Sequence, residues 1–446
     1  MHQIFKKVSI ALILWTCLLS VVSAQKKATS LEDCIAYALE HNTDMGRANK
    51  GIESSKANLE QSKAAMLPNL SLNASQNNAY NNTYLISDTG NTWARDINSN
   101  ASLSINSSIS LYNGAKLKNS LSQSKFDVAA AEAEFKAQEE VIALNILTAY
   151  VNVLLAKEQL SNAESQVEST LSQLENSSAR LDAGLISKSE YLNIKSQWAS
   201  DKSELVSAQS YHSIQLVKLM QTMNMQIDYQ FDIQKLDLIN PYNKSQEVDP
   251  TEIYEAAIGM RPDIKSAQLE WESAKLGIDI AKANAKPKLS LNGSLGTDYN
   301  SLSSLNFSDQ FSNQITPSIG LSLSIPIYQG RQIKNQITQA SIQADLFQLN
   351  LTDMQNNLRK AIEQAWLDSR SAYMVYESSQ LQYQAETEAF RLAEEMLGQG
   401  LLNSVDFIIS KSKFVTAENK LTQAKHQLIL QNELIEYYQG AKISFN

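Results

Sequence analysis

Two periodicities alternate along the chain. From Leu117 onward, apolar or small residues recur at Leu121, Ser124, Val128, Ala131, Phe135, Gln138, Ile142, Asn145 and Ala149, spaced alternately four and three. A parallel series runs through Ile333, Ile337, Ala340, Ala344, Phe347, Leu351, Met354, Leu358, Ala361 and Ala365. A seven-residue repeat held this long predicts a coiled-coil seam, because an ordinary amphipathic helix drifts away from it. No proline and no glycine falls between 115 and 183. One helix of that span would be roughly 100 Å long at 1.5 Å per residue. A similar helix is expected over 331–397. Gly184 and Gly400 stop both patterns, and returning helices over about 186–224 and 402–440 complete a hairpin in each half. Shorter opening helices are expected over 31–66 and 252–285, stacked end to end with the returning helices beside the long ones.

The second periodicity is two. Leu70, Leu72 and Ala74 alternate with Ser71, Asn73 and Ser75, and Leu103, Ile105, Ile109 and Leu111 with Ser104, Asn106, Ser108 and Ser110. Leu289, Leu291 and Leu295 alternate with Ser290, Asn292 and Ser294. Ile319, Leu321, Leu323, Ile325 and Ile327 alternate with Ser318, Ser322 and Ser324. These runs predict four strands, with Pro68 and Pro287 at strand starts, where a missing N–H is tolerated. Pro326 interrupts the last run near its end. Segments 76–100 and 299–315, rich in Asn, Ser and Thr, are expected to be external loops. A soluble sandwich would bury the apolar face, whereas a membrane barrel would turn it to lipid and keep the other face wet. The polar face is small and neutral, without Lys or Glu, which favours a lumen. Tyr112 and Tyr328 stand at strand-to-helix junctions, where an interfacial aromatic girdle would lie.

The two series belong to a tandem repeat. At an offset of 216, Tyr112-Asn113-Gly114 falls on Tyr328-Gln329-Gly330, Gly184-Leu185 on Gly400-Leu401, and Lys195-Ser196 on Lys411-Ser412. Upstream, at an offset of 219, Pro68-Asn69-Leu70-Ser71-Leu72-Asn73 meets Pro287-Lys288-Leu289-Ser290-Leu291-Asn292. The expected organisation is a first repeat at 25–224, a linker or equatorial element at 225–249, and a second repeat at 250–446. Each repeat carries a helix, two strands and a hairpin. Residues 1–24 read as a secretory signal peptide, with Lys6 and Lys7 ahead of an apolar run and Val22-Ser23-Ala24 as the cleavage site. No later stretch reaches 18 consecutive apolar residues, so helices are not the expected means of entering a membrane.

Composition then removes alternatives. The chain has 446 residues, of which 43% are hydrophobic and only 19% charged. Loss of the leader would take its net charge from −9 to −11, which argues against nucleic acid as a partner. Cys34 would be the only thiol of the mature chain, so no internal disulfide is possible, and it reads as a small packed apolar residue. His41, His212 and His426 are isolated in helical patterns, and no HExxH, GxSxG, P-loop or paired-Cys signature appears. Neither an enzyme nor a cofactor is expected. Four strands per chain cannot close a barrel around a lumen, and lipid does not tolerate open sheet edges. Eight strands leave room only for side chains, whereas twelve leave a pore, so three chains fit better than two.

The order of these motifs, in duplicate, resembles the TolC-like outer membrane efflux protein family over essentially the whole mature chain. The resemblance rests on the Pro-x-Leu-Ser-Leu strands, the strand-Tyr-x-Gly-helix junctions, and the breaks at Ala183-Gly184-Leu185-Ile186-Ser187 and Gln399-Gly400-Leu401-Leu402-Asn403. It implies an α+β fold: a trimeric outer membrane β-barrel of four strands per chain, continued by a long α-helical coiled-coil barrel across the periplasm of a Gram-negative bacterium. It also implies an exit duct for drugs or secreted polypeptides, energised by an inner-membrane pump through a periplasmic adaptor. The resemblance assigns the hairpin tips, at Gly184 and Gly400, to the periplasmic entrance. Glu190 and Asp406, six residues beyond each glycine, match acids that constrict it, each forming a ring of three carboxylates in a trimer. Ile409 stands where a second ring acid often follows, and Leu397 and Leu402 where Tyr and Arg can lock the gate, which points to closure by apolar contact. Two alternatives stand beside this: Glu190 and Asp406 as solvated turn charges, and the whole chain as a pore-less periplasmic coiled-coil adaptor.

Overall fold

The computed structural model describes residues 28–85, 90, 92–235, 248–441 and 443. The expected signal peptide and part of the expected linker lie outside them. The first described elements are α1 (Leu31–His41) and α2 (Thr43–Ala64), then β1 (Asn69–Leu85) and β2 (Thr92–Tyr112). Next come α3 (Lys116–Asp182) and α4 (Lys188–Thr222). The order repeats as α5 (Pro250–Met260), α6 (Pro262–Ala283), β3 (Lys288–Asn300), a short α7 (Phe307–Asn313), β4 (Thr316–Ser324), α8 (Gln332–Gln399) and α9 (Ser404–Tyr438). The long helices α3 and α8 have 67 and 68 residues. The chain divides into two compact units, one formed by 1–45, 139–257 and 361–446, the other by 46–138 and 258–360.

Each expected opening helix is two helices. Asn42 leaves helical geometry at ψ 133°, and its Oδ1 accepts from the N–H of Asp44, starting α2. Arg261 is extended because Pro262 follows it, and a residue before proline is pushed out of the helical region. In the first unit, Thr222 at the end of α4 meets the junction between α1 and α2, where its carbonyl accepts from Asn42 Nδ2 at 3.3 Å. Residues 231–235 lie against the start of the chain through a parallel bridge between Thr29 and Ile233. The Tyr150 hydroxyl donates to the carbonyls of Thr29 and Gln234, tying both strands of that bridge to the middle of α3. α3 contains one stretch long and apolar enough, by composition, to cross a membrane. Burial accounts for part of that composition: 44% of the stretch is buried, and Ile142, Ile146, Leu147, Tyr150, Val153 and Leu154 are core residues of this unit.

The expected heptad seam is partly observed. In α8, Ala344, Leu358 and Ala365 are buried, and the stripe continues at Ser369, Ala372 and Ser379. In α3 the expected Ser124 and Ile142 are buried, but between them the buried residues are Ala130, Ala133 and Ala137, beside the expected Val128, Ala131 and Phe135, and Asn145 is exposed.

The second unit holds one antiparallel sheet in the order β1-β2-β3-β4. Most of the expected loop 76–100 is strand, since β1 and β2 pair without interruption from Asn69↔Ser108 to Leu85↔Thr92. Segment 299–315 likewise contains the end of β3, α7 and no long irregular loop. β4 stops at Ser324, two residues before Pro326. The register places like with like. Leu72 faces Ile105, Ile105 faces Leu295, Leu291 faces Leu321, and Leu289 faces Leu323. On the opposite face Ser75 and Ser102 share a hydrogen bond of 2.8 Å, Ser108 donates to Asn292, and Ser294 meets Ser318 at 2.7 Å. One face of the sheet is therefore apolar across all four strands and the other is a lattice of small hydroxyls and amides.

Candidate functional site

The hairpin tips are built identically in both repeats. Gly184 and Gly400 have φ of 72° and 74°, a left-handed conformation that only glycine adopts without cost. The N–H of Leu185 reaches back to the carbonyl of Arg180, and that of Leu401 to the carbonyl of Met396, each at 2.8 Å. These five-residue closures satisfy carbonyls that the last helical turn would otherwise leave open. No atom crowds a Cβ at Gly184, so conformation and not space demands the glycine.

The next turn positions the two candidate acids. Ser187 caps α4, and its backbone N–H donates to Glu190 Oε2 at 2.9 Å while its Oγ accepts from the N–H of Glu190. Asn403 caps α9 in the same way: its Oδ1 accepts from the N–H groups of Val405 and Asp406, and its Nδ2 donates to Asp406 Oδ2 at 2.7 Å. Both acids are thus the third residue of a helix and bind its cap, where a negative charge also meets the favourable end of the helix dipole. Glu190 is half-buried and Asp406 is exposed.

Behind the tips lies an apolar plug. Ile194, Ala393 and Phe407 are buried, with Leu174, Phe390, Leu397, Leu402 and Ile408 packed against them. Phe390 contacts Phe407 at 5.6 Å and stacks on Phe414 at 5.1 Å between ring centroids. Polar links join the two hairpins around it. Arg180 Nη1 donates to the carbonyl of Leu397 at 2.9 Å, and Asn193 Nδ2 to Ser404 Oγ at 3.1 Å. Farther along, Lys411 Nζ on α9 lies 2.6 Å from Asp201 Oδ2 on α4 and also donates to Thr170 Oγ1 on α3. The sequence reading missed Arg180 and this clasp. Leu397 contributes to the tips twice, through its side chain in the plug and its carbonyl under Arg180.

The strand-to-helix junctions also match between repeats. Tyr112 and Tyr328 are exposed. Gly114-Ala115 and Gly330-Arg331 are consecutive left-handed pairs that turn the chain from strand to helix. At Gly114 a Cβ would fall 2.7 Å from Lys286 Cβ, so α6 and the junction can meet only at glycine. A second aromatic set was hidden in the expected loops. Tyr299 packs tilted against Phe307 at 5.1 Å, Phe307 stacks on Phe311 at 5.0 Å, and Tyr84 packs on Trp93 at 4.9 Å.

Among the described residues, no group of three His, Cys, Asp or Glu side chains could hold a metal ion. A family model described as outer membrane efflux protein matches residues 34–225 and 253–438. The outer membrane efflux protein BepC of Brucella suis biovar 1 (strain 1330) is 20% identical over 403 residues, covering 90% of this chain and 83% of that protein. The crystal structure of the outer membrane protein VceC from Vibrio cholerae superposes with a TM-score of 0.77 at 18% identity, covering 92% of this chain and 96% of that one. The Campylobacter jejuni CmeC outer membrane channel gives 0.74 at 18% identity, covering 95% and 91%.

Proposed function

Because the chain belongs to the outer membrane efflux protein family, we propose that three copies close one twelve-stranded barrel whose polar face lines the pore. The protein itself is an outer membrane efflux duct with a periplasmic helical tunnel, and it catalyses nothing. The observation that carries the trimer is the sheet. Its apolar face is continuous and exposed at Leu70, Leu72, Ile319, Leu321 and Leu323, and β1 and β4 are open edges. In hydrocarbon both edges must find partners, and β4 of one copy beside β1 of the next supplies them. A pore-less adaptor is not favoured, because it has no use for a sheet with one face of leucine and isoleucine turned outward.

The same reading makes the tips the periplasmic entrance, where Glu190 and Asp406 form carboxylate rings that attract cations. The apolar plug around Leu397 and Leu402 supports closure by packing, with Arg180 as the polar tie. A periplasmic adaptor and an inner-membrane pump would supply the energy and choose the cargo. The test is purification in detergent, a native mass measurement for three chains, and conductance in planar bilayers. Asp406→Ala should weaken block by multivalent cations at least several-fold while the pore still conducts. Unchanged block would sink the ring assignment and leave the duct standing; a monomer without conductance would sink the barrel.

A further inference from the structure

We propose that the aromatic face of the β1–β2 ribbon binds the oligosaccharide headgroup of an outer-leaflet glycolipid. The inference rests on the outer membrane reading above. The β2–β3 ladder ends at Asn100↔Asn300, and although Ser301 still donates to the carbonyls of Ser99 and Ile97, residues 92–99 of β2 continue as a two-stranded ladder with β1. That ribbon extends about 26 Å beyond the rest of the sheet at about 3.3 Å per residue. Its register never shifts, so Tyr80, Tyr84, Trp93 and Ile97 share the face that carries Leu70, Leu72, Leu103 and Ile105.

Position along the strand separates these rings from a girdle at the hydrocarbon boundary. On β2 the outward band from Leu111 to Ala101 is about 33 Å along the strand, which at a tilt of 35–45° matches the apolar band of about 25 Å in membrane barrels. The upper edge of the band is the row Gln76, Ala101 and Tyr299, where Thr297 Oγ1 donates to the carbonyl of Phe311 and holds α7 on the same face. Tyr80 lies four residues past that row and Tyr84 eight, about 13 and 26 Å farther out along the strand. The lipid there is no longer acyl chain but headgroup.

These side chains are open to the surroundings: Tyr80, Tyr84, Trp93 and Ile97 are 63%, 47%, 60% and 65% exposed, with Tyr84 and Trp93 packed on each other. On β1 they alternate with exposed amides of the same face, Asn78 and Asn82, and on β2 the register places Arg95 opposite Asn82, between Trp93 and Ile97. Flat aromatic faces next to amide donors and acceptors suit a pyranose, which presents C–H groups on one side and hydroxyls at its rim. Continuity with the lipid-facing sheet selects a lipid-borne sugar as occupant.

The test uses full-length protein in detergent, the parent and the variant Tyr84→Ser/Trp93→Ser. Two probes are titrated: the deacylated core oligosaccharide of the glycolipid, and the acylated disaccharide that lacks the core. The parent should bind the oligosaccharide, and the variant should bind it about tenfold more weakly through loss of two stacking rings. Both should bind the acylated disaccharide equally. Equal oligosaccharide affinities, no binding by the parent, or a change of oligomeric state without a change in sugar affinity would overturn the proposal, the last by making this face a contact between copies. Conductance and membrane fractionation of the same preparations keep the two readings apart: parent and variant that insert and conduct alike, with equal sugar affinity, refute this surface and not the duct.

Discussion

Lys411 shows how a single residue can join two halves of a repeat that its sequence makes equivalent. It is 1% exposed, and its carboxylate partner Asp201 is 12% exposed. Its repeat equivalent, Lys195, is exposed. The signal was present in the sequence, since 411 follows Ser404 and Phe407 in an apolar stripe where a lysine is out of place. Its partners were not legible, because Asp201 and Thr170 are 210 and 241 residues away and no spacing rule reaches them. Lys411→Ala leaves a buried carboxylate without its cation and should cost roughly 3–5 kcal/mol in thermal or denaturant unfolding, whereas Lys411→Met with Asp201→Leu should recover most of it. Cys34 behaves as its sequence context suggested: it is fully buried, and burial, with Asp33 and Glu32 nearby, pushes its thiol from 9.0 up to about 12. A raised acid pKa means that the folded chain holds the proton more tightly than the unfolded one. The stability it contributes is complete below pH 9 and is lost as pH rises from about 9 toward 12. A maleimide at pH 7 should label the native protein negligibly and the unfolded protein fully; rapid native labelling would contradict the packing.

Among the elements, the helices were read well at their ends and badly in their interiors. Gly184 and Gly400 mark the hairpin tips by conformation, a demand that a single residue type announces. Gly184→Ala and Gly400→Ala should each cost about 1–2 kcal/mol, the penalty of a left-handed alanine, and a smaller loss by calorimetry would show that the loop relaxes instead. Asn42 and Pro262 were equally audible breaks, yet the expected opening helices, 31–66 and 252–285, run through them. The strands were underestimated for another reason. Asn77, Asn78, Asn81 and Asn82 have poor strand propensity, and only the uninterrupted ladder with β2 makes them strand. The parity that Tyr80 and Tyr84 share with Leu70 and Leu72 would have revealed the extension.

At the scale of the whole molecule, the two faces of the sheet make opposite demands. Leu321 opposes Leu291 on the apolar face, and its neighbour Ser322 opposes Ser290 on the polar one. Leu321→Arg on the lipid face should cost up to about 2–4 kcal/mol, depending on its depth, and lower the yield of inserted protein. Ser322→Arg should insert normally and change conductance and ion selectivity. Equal effects at the two positions would refute the assignment of lipid and lumen.

The sheet also dictates an order of events in time. β1 and β2 are neighbours in the chain, as are β3 and β4, so each pair is a local hairpin. The ladder between β2 and β3 joins Ser110 to Ser290, 180 residues apart, with α3 to α6 threaded between them. Contacts of such separation carry a large loop-closure entropy and form slowly unless the intervening chain is already compact. Helical hairpins are fast and local, so the helices should condense first and shorten that loop. In the proposed trimer the last joints, between β4 of one chain and β1 of another, would need an encounter of molecules, making barrel completion the step whose rate depends on concentration.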